Sequence, residues 1–422
     1  MPELCLYFHV HQPVRLARFS FFQIGASPDA AYLDPHYFDD GLNRHYFDKA
    51  ARQCYVPTNG ILLKLIDSAG GKFKFSLSIT GTLIEQCKKY SPDVLESFRA
   101  LCATGCVDVL DETYHHTLSS LFLDLSEFKE QVALHSALVK DEFGITPRSF
   151  RNTEVIYSNR IGAAVEEMGY EAVITEGIEW VLGWRSPNYV YRPKGCKSTR
   201  LLLRNYKLSD DVGFRFSAKS WPEWPLTADK YASWLASAPG QVVNLFMDYE
   251  TFGEHHWKDT GILEFLSHLP GEVGNYDNLA FTTVTGAARK FEPCDEIDVP
   301  YNLSWADAER DTSTWLGNRI QRACFDELEA LLPKVRALND PALLRIYRNL
   351  QTSDHFMYLS TKGLSDREVH NYFSPYKDSN PYENFINFMN IISDFKHHVE
   401  AAAQARAQGS YTPETLIGSE PV

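Results

Sequence analysis

About seven short segments of this chain read as buried strands, and most run straight into a polar or charged residue at their C-terminal end. They are Leu4–His9, Lys72–Ile79, Val107–Leu110, Ser149–Asn152, Glu171–Thr175, Leu201–Asn205 and Val242–Met247. The clearest is Val242-Val243-Asn244-Leu245-Phe246-Met247, an apolar run that stops abruptly at Asp248-Tyr249-Glu250. A run of this length between polar residues suits a strand with no solvent-facing side. Helical patterns follow most of the segments. Phe128, Val132, His135 and Val139 share one helical face, and Gly144 stands where a C-terminal cap belongs. A helix over Ile161–Met168 is stopped by Gly169, and Tyr231, Trp234 and Leu235 mark another that ends near Gly240. Strands alternating with helices predict an α/β barrel, in which chemistry gathers at the C-terminal ends of the strands.

The exits bear this out chemically. In order they supply His9 and His11, Thr80, Asp111 and Glu112, Glu154, Glu176, Asn205, and Asp248. Two carboxylates on separate strand ends, Glu154 and Asp248, are what cleavage of a glycosidic bond requires. Any single acid after a strand is more often an ordinary loop acid; the pair, with aromatics alongside, is what points to catalysis. Arg151, three positions before Glu154, would keep that carboxylate ionised if a turn brought them together. Asp248 needs the opposite, a raised pKa, with Phe246, Tyr249 and Phe252 to desolvate it and Glu250 or Glu254 to repel its charge.

Beyond residue 300 the pattern changes. Trp305–Gln321, Phe325–Leu338, Pro341–Thr352 and Asn384–Ala407 all read as helical, and the tail after Gly409 as frayed. The expected division is a barrel over residues 1–295 and a helical domain over 296–422 that contributes to the active-site cleft. With 422 residues and 44% hydrophobic content, the chain is ample for both. A net charge of −14 argues against nucleic acid, whose phosphates require basic patches. The N-terminal stretch carries no basic leader, and no window is apolar enough to span a bilayer. The eight scattered cysteines, among them Cys5, Cys102 and Cys324 in apolar settings, suggest thiols in a reducing compartment. A cytoplasmic location is therefore expected.

Four polar clusters carry further candidates. His9-Val10-His11-Gln12-Pro13 suits metal ligation, sugar contact or a purely structural role. Asp111-Glu112-Thr113-Tyr114-His115-His116 suits orientation of a polar ligand or a solvated turn. Asn302–Asp307 with Arg310–Asn318, and Gln351–Phe356, suit either a sugar site or a contact between domains.

Taken in order, these segments resemble glycoside hydrolase family 57. The resemblance runs through His11-Gln12-Pro13, Glu112-Thr113-Tyr114, Arg151-Asn152-Thr153-Glu154 and Met247-Asp248-Tyr249-Glu250-Thr251-Phe252-Gly253-Glu254-His255. It continues through Leu303-Ser304-Trp305-Ala306-Asp307, Trp315-Leu316-Gly317-Asn318 and Gln351-Thr352-Ser353-Asp354-His355. It implies an incomplete (β/α)7 barrel followed by an all-helical C-terminal domain. It implies retaining cleavage of α-glucosidic bonds with no metal and no cofactor. Glu154 matches the nucleophile, Asp248 the acid/base, and His11 the histidine that contacts the sugar at the cleavage point. The wording is closest to the α-amylase group, so glycogen, starch or a maltooligosaccharide is the expected substrate. His9, His11, Glu112, His116, Arg151, Glu176, Glu250, His255, Trp257, Trp305 and Asp354 are the expected substrate-binding residues. Three alternatives stay open: a 4-α-glucanotransferase or other transglycosylase of the same family, a non-catalytic glucan-binding homologue, and a metal-dependent amidohydrolase or deacetylase built on His9 and His11. Oligomeric state is not readable from the sequence.

Overall fold

The computed structural model describes residues 2–26, 33–362 and 380–408. The tail after Gly409 lies outside them. Among the described residues ten strands are present: β1 Glu3–Val10, β2 Phe75–Ile79, β3 Val107–Val109, β4 Ser149–Arg151, β5 Ala172–Glu176, β6 Val190–Pro193, β7 Arg200–Arg204, β8 Val242–Asp248, β9 Ala280–Thr282 and β10 Glu296–Ile297. Seven of them are the expected seven.

Those seven follow one another around a curled parallel wall. β1 lies between β2 and β8, with His9 opposite both Ser78 and Asp248. β2 pairs with β3, β4 with β5, and β5 with β7. Two non-ladder contacts join the pieces. Just past β3, Asp111 bridges to Phe150 of β4, its N–H donating to Ser149 O at 2.9 Å. Between β7 and β8, Asn205 N–H donates to Asn244 O at 2.9 Å, and Asn244 Nδ2 donates to Leu203 O at 2.9 Å. The remaining strands are short additions. β6 runs antiparallel to β7, β10 pairs with β6, and β9 pairs with the start of β1.

The twofold period of a strand sorts the side chains. Leu4, Leu6, Phe8 and Val10 of β1 pack with Phe75, Leu77 and Ile79 of β2 and Val243, Leu245 and Met247 of β8 in one apolar cluster with the helices. Cys5 and Tyr7 of β1 join Val242 and Phe246 of β8 in a second cluster with Ile174 and Leu202. His9 and Asp248 continue this second face to the C-terminal end of the wall. Buried apolar positions on the helix Ser126–Phe143 include Phe128, Val132 and Val139, and Gly144 follows with φ +68°, as a C-terminal cap requires.

By contacts the chain groups into two compact units. The first comprises residues 1–12, 46–114 and 126–305 and holds the strands. The second comprises 13–45, 115–125 and 306–422. It is helical, with Arg319–Leu338, Pro341–Leu350 and Pro381–Ala407 as its longest described elements. Within it Asp394 accepts from Tyr37 Oη and from Gly25 N–H, each at 2.6 Å, tying the early segment to the last helix. One expectation fails here. Residues 305–312 are not helical; the first turn is Ser313–Leu316 and the long helix starts at Arg319 behind an Asn318/Gln321 capping box. Asp307 and Arg310 have positive φ, which a helix excludes. Among the described residues no helix is long and apolar enough to cross a membrane.

Candidate functional site

At the exit of β4 the chain turns at once. Thr153–Val155 forms a single 3-10 turn in which Glu154 sits at φ 56°, ψ 24°, and Val155 follows with φ 54°. Left-handed backbone costs a residue with a Cβ about 1–2 kcal/mol, so two in succession are kept only by their surroundings. Asn152 supplies part of this, its carbonyl accepting from Val155 N–H at 2.9 Å and its Nδ2 donating to Ile156 O at 2.9 Å. Trp305 supplies more: its indole Nε1 donates to Glu154 Oε2 at 3.1 Å. Arg151, the last residue of β4, belongs to the same set of contacts. It is fully buried, with Nη1 3.5 Å from Glu112 Oε2 and its guanidinium 5.3 Å from the centre of the Trp305 ring.

At the exit of β8, Asp248 meets histidines. His9 Nδ1 lies 3.6 Å from Asp248 Oδ1, and His9 Nε2 lies 3.2 Å from Glu112 Oε2, so one imidazole spans two carboxylates. The His11 ring stacks on that of His9, centres 5.9 Å apart, and its Nδ1 is 2.9 Å from Thr80 Oγ1. Partial burial raises the pKa of Asp248, but the His9 hydrogen bond and the charges of His255 and His9 outweigh it; Glu154 opposes them. The net is a carboxyl held below its usual range. The expectation of a raised pKa at Asp248 is therefore wrong for the free protein. The reason is the histidines: burial is the largest single influence and raises the value, but His9 and His255 together outweigh it, while Tyr249 and Phe252 pack on Phe8.

Glu250 carries the raised value instead. Burial first, and the Asp248 charge second, push it up to about 8, although Tyr55 Oη donates to its Oε1 at 2.6 Å. Glu254, the other candidate for repulsion, is engaged by Lys49 at 2.8 Å.

The remaining expected residues divide. His9, His11, Glu112, Arg151, Glu154, Trp305 and Asp248 connect through the contacts above, and His255 joins them through its charge on Asp248. Glu176 is fully buried, its carboxylate occupied by Arg204 Nη1 at 3.0 Å and by Gly177 N–H at 2.8 Å. Trp257 is 56% exposed on the loop after β8. His116 and Asp354 lie in the second unit, where they offer ligand atoms within 4.8 Å of each other and Ser353 N–H donates to His116 O at 2.9 Å.

Three residues escaped the sequence reading. Arg204 donates Nε to Phe246 O at 2.7 Å and Nη2 to Asp210 at 2.5 Å, and lies 5.8 Å from the Trp305 ring centre. A cation closing the apolar run Leu201-Leu202-Leu203 was the available signal. Tyr55 sits on a helix distant in sequence and gave none. His135 counted only as a helix-face residue, yet it is wholly buried, with Nδ1 2.5 Å from Asp111 Oδ1 and Nε2 2.8 Å from Ile79 O. Its burial lowers the imidazole pKa, but the Asp111 contact prevails and the net shift is upward.

Comparison with known proteins identifies the family. Residues 5–300 match the Glycosyl hydrolase family 57. A relative from Methanocaldococcus jannaschii, described as "Putative alpha-amylase", is 46% identical over 404 residues, spanning 93% of this chain and 84% of its own. The fold is similar to a GH57-type branching enzyme from Pyrococcus horikoshii, with TM-score 0.70 and 15% identity over 97% of this chain and 92% of that one. It is also similar to a 4-alpha-glucanotransferase from Thermococcus litoralis, with TM-score 0.64 and 15% identity over 84% of this chain; the match spans only 56% of the glucanotransferase. At such identities these two structures speak for the fold alone.

Proposed function

This chain belongs to glycosyl hydrolase family 57, and on that premise we propose that it cleaves α-1,4-glucosidic bonds of glycogen, starch or maltooligosaccharides with retention of configuration. The observation that carries the reading is the pair of strand-exit carboxylates, Glu154 and Asp248, close enough for the charge of one to act on the other. Glu154 attacks the anomeric carbon. Asp248 gives a proton to the departing oxygen, and a glycosyl-enzyme ester forms. Asp248 then takes a proton from water as the water opens that ester. Retaining chemistry needs the two carboxyls roughly 5–5.5 Å apart in the working complex.

Because Asp248 is ionised in the free protein at neutral pH, it must be protonated when substrate arrives. A sugar that displaces water from its exposed face favours this, since desolvation raises a carboxyl pKa. His9, His11 and His255 are proposed to orient sugar hydroxyls around the pair, and Arg151 to act on bound sugar only through Glu112 and Trp305. The catalytic module is proposed to lie within residues 1–295. The eight free cysteines, seven of them buried, support a cytoplasmic location.

Incubation with a maltooligosaccharide, with the anomeric proton followed by NMR, tests the reading. An α-anomer formed first, and lost when Glu154→Gln is used, is the expected result. An initial β-anomer, or full turnover by Glu154→Gln, would remove it. Products longer than the starting oligosaccharide would assign transfer in place of hydrolysis, through the same intermediate.

A further inference from the structure

Trp305 holds Glu154 at both ends. Its indole Nε1 donates to Glu154 Oε2 at 3.1 Å, and its backbone N–H donates to Glu154 O at 3.4 Å. The ring lies near two guanidinium groups, Arg151 at 5.3 Å and Arg204 at 5.8 Å from its centre. Such cations draw density from the π system, which fixes the ring and makes its N–H a stronger donor. Arg204 in turn has little freedom. It is buried, and its fork is shared among Phe246 O, Glu176 and Asp210. Phe246 stands on β8 two residues before Asp248. A connected path of directed contacts thus runs from β8, through Arg204 and the Trp305 indole, to the Glu154 carboxylate.

We infer that Arg204 and Trp305 form a strut that sets the Glu154 carboxylate against β8, so that Trp305 serves the reaction through its N–H and not only as a surface on which sugar stacks. This rests on Glu154 acting as the nucleophile of the proposed glycosidase. With Oε2 held by the indole, attack is assigned to Oε1. The Oε1–anomeric carbon bond forms, the bond from that carbon to the leaving oxygen breaks, and the Asp248 proton passes to that oxygen. Oε2 becomes the ester carbonyl and still accepts the same N–H. The strut therefore serves both halves of the reaction without moving. It also explains how two left-handed residues at 154 and 155 persist at a strand exit, since the backbone there is tied to Trp305 as well as to Asn152. Arg204 is a positioning residue in this scheme, and nothing in the catalytic motif itself marks it.

The test uses two complementary replacements in the full chain. Trp305→Phe keeps an aromatic face and removes the N–H. Trp305→His keeps a ring N–H at the equivalent distance from Cβ and removes the fused ring. If the strut is correct, Trp305→Phe loses about 10- to 100-fold in kcat, as loss of a hydrogen bond to a charged group predicts, with KM nearly unchanged. Trp305→His then retains more kcat than Trp305→Phe. The reverse ranking, or wild-type kcat with a raised KM in Trp305→Phe, would make Trp305 a stacking surface and overturn the strut. Melting curves accompany each variant. If Trp305→Phe does not fold, Arg204→Lys repeats the test: it keeps a cation but lacks the fork, and it must lower kcat while leaving KM in place. Glu154→Gln separates the two claims. Its activity, if retained, removes the nucleophile assignment itself; its inactivity beside a fully active Trp305→Phe removes only the strut.

Discussion

The exits of β4 and β8 each carry one acidic residue of the proposed pair, but they are built in opposite ways. Around Glu154 the contacts are rigid and cationic: a strained turn, an indole N–H, and two buried arginines within reach of the indole ring. Around Asp248 they are titratable: His9, His255 and, two residues on, a buried Glu250 bonded to Tyr55. The first environment fixes a charge and a direction, as a nucleophile needs. The second can trade protons, as an acid/base needs.

The largest test of this contrast is removal of either carboxylate. Glu154→Gln and Asp248→Asn should each lower turnover by about three orders of magnitude or more, because the missing group leaves several kcal/mol of barrier unopposed. The two variants should part company on an activated substrate with a good leaving group. Asp248→Asn regains its first step there, and Glu154→Gln does not. Equal behaviour would erase the assignment of roles.

Next in size is the anchor of the cationic side. Arg204→Met leaves Glu176 and Asp210 as buried carboxylates without their shared cation, at a cost of about 3–5 kcal/mol. Urea denaturation at pH 7 measures it. A loss under about 1 kcal/mol would mean that the ion pairs are relayed elsewhere.

The titratable side gives a stability effect with a defined sign. The Glu250 carboxyl is raised from 4.5 to about 8 in the fold. Between those values the unfolded chain releases a proton that the folded chain keeps, so this group's contribution is full below about pH 4.5 and is lost as pH climbs through about 8. Glu250→Gln should lack this term. Its melting temperature, relative to wild type, should rise steadily across that window, by an amount on the order of a few kcal/mol in stability. Parallel curves would show that Glu250 is already ionised.

The smallest expected effect is at His255. Its charge helps hold the Asp248 pKa down, so His255→Asn lets that pKa rise. The alkaline limb of kcat/KM, where the acid loses its proton, should move up by about a unit or less. A downward move would reverse the proposed direction.

Much of this architecture was legible because strand burial is written locally. Leu4–His9 and Val242–Met247 are apolar runs that no other element explains as simply, and their exits pointed to His9 and Asp248. β6 was not legible: Val190-Tyr191-Arg192-Pro193 is short, ends in proline, and exists by pairing with β7. The helical reading of 305–312 failed because Asp307 and Arg310 take positive φ, which their side chains do not announce. The site was half legible. Glu154 and Asp248 stand out as strand-exit acids, but which acid near the β8 exit has the raised pKa depends on which histidines reach Asp248 and on how deeply its neighbour is buried. The answer, Glu250, needs Tyr55, nearly two hundred residues away in the chain. The grouping of residues 13–45 and 115–125 with the helical unit is likewise a matter of long-range contact.

One consequence concerns the join between β7 and β8. No continuous ladder closes it. The β8 edge is served by Asn205 N–H at Asn244 O, by the Arg204 side chain at Phe246 O, and by Ser209 Oγ, which accepts from Phe246 N–H at 3.2 Å. Side-chain hydrogen bonds can open one at a time, whereas a ladder opens in cooperative stretches. In deuterated solvent the Phe246 amide should therefore exchange through small local openings, sooner than the β1 amides flanked by β2 and β8. Arg204 belongs to that same line, so the fluctuation that lets solvent in at the seam is also the one that would loosen Glu154.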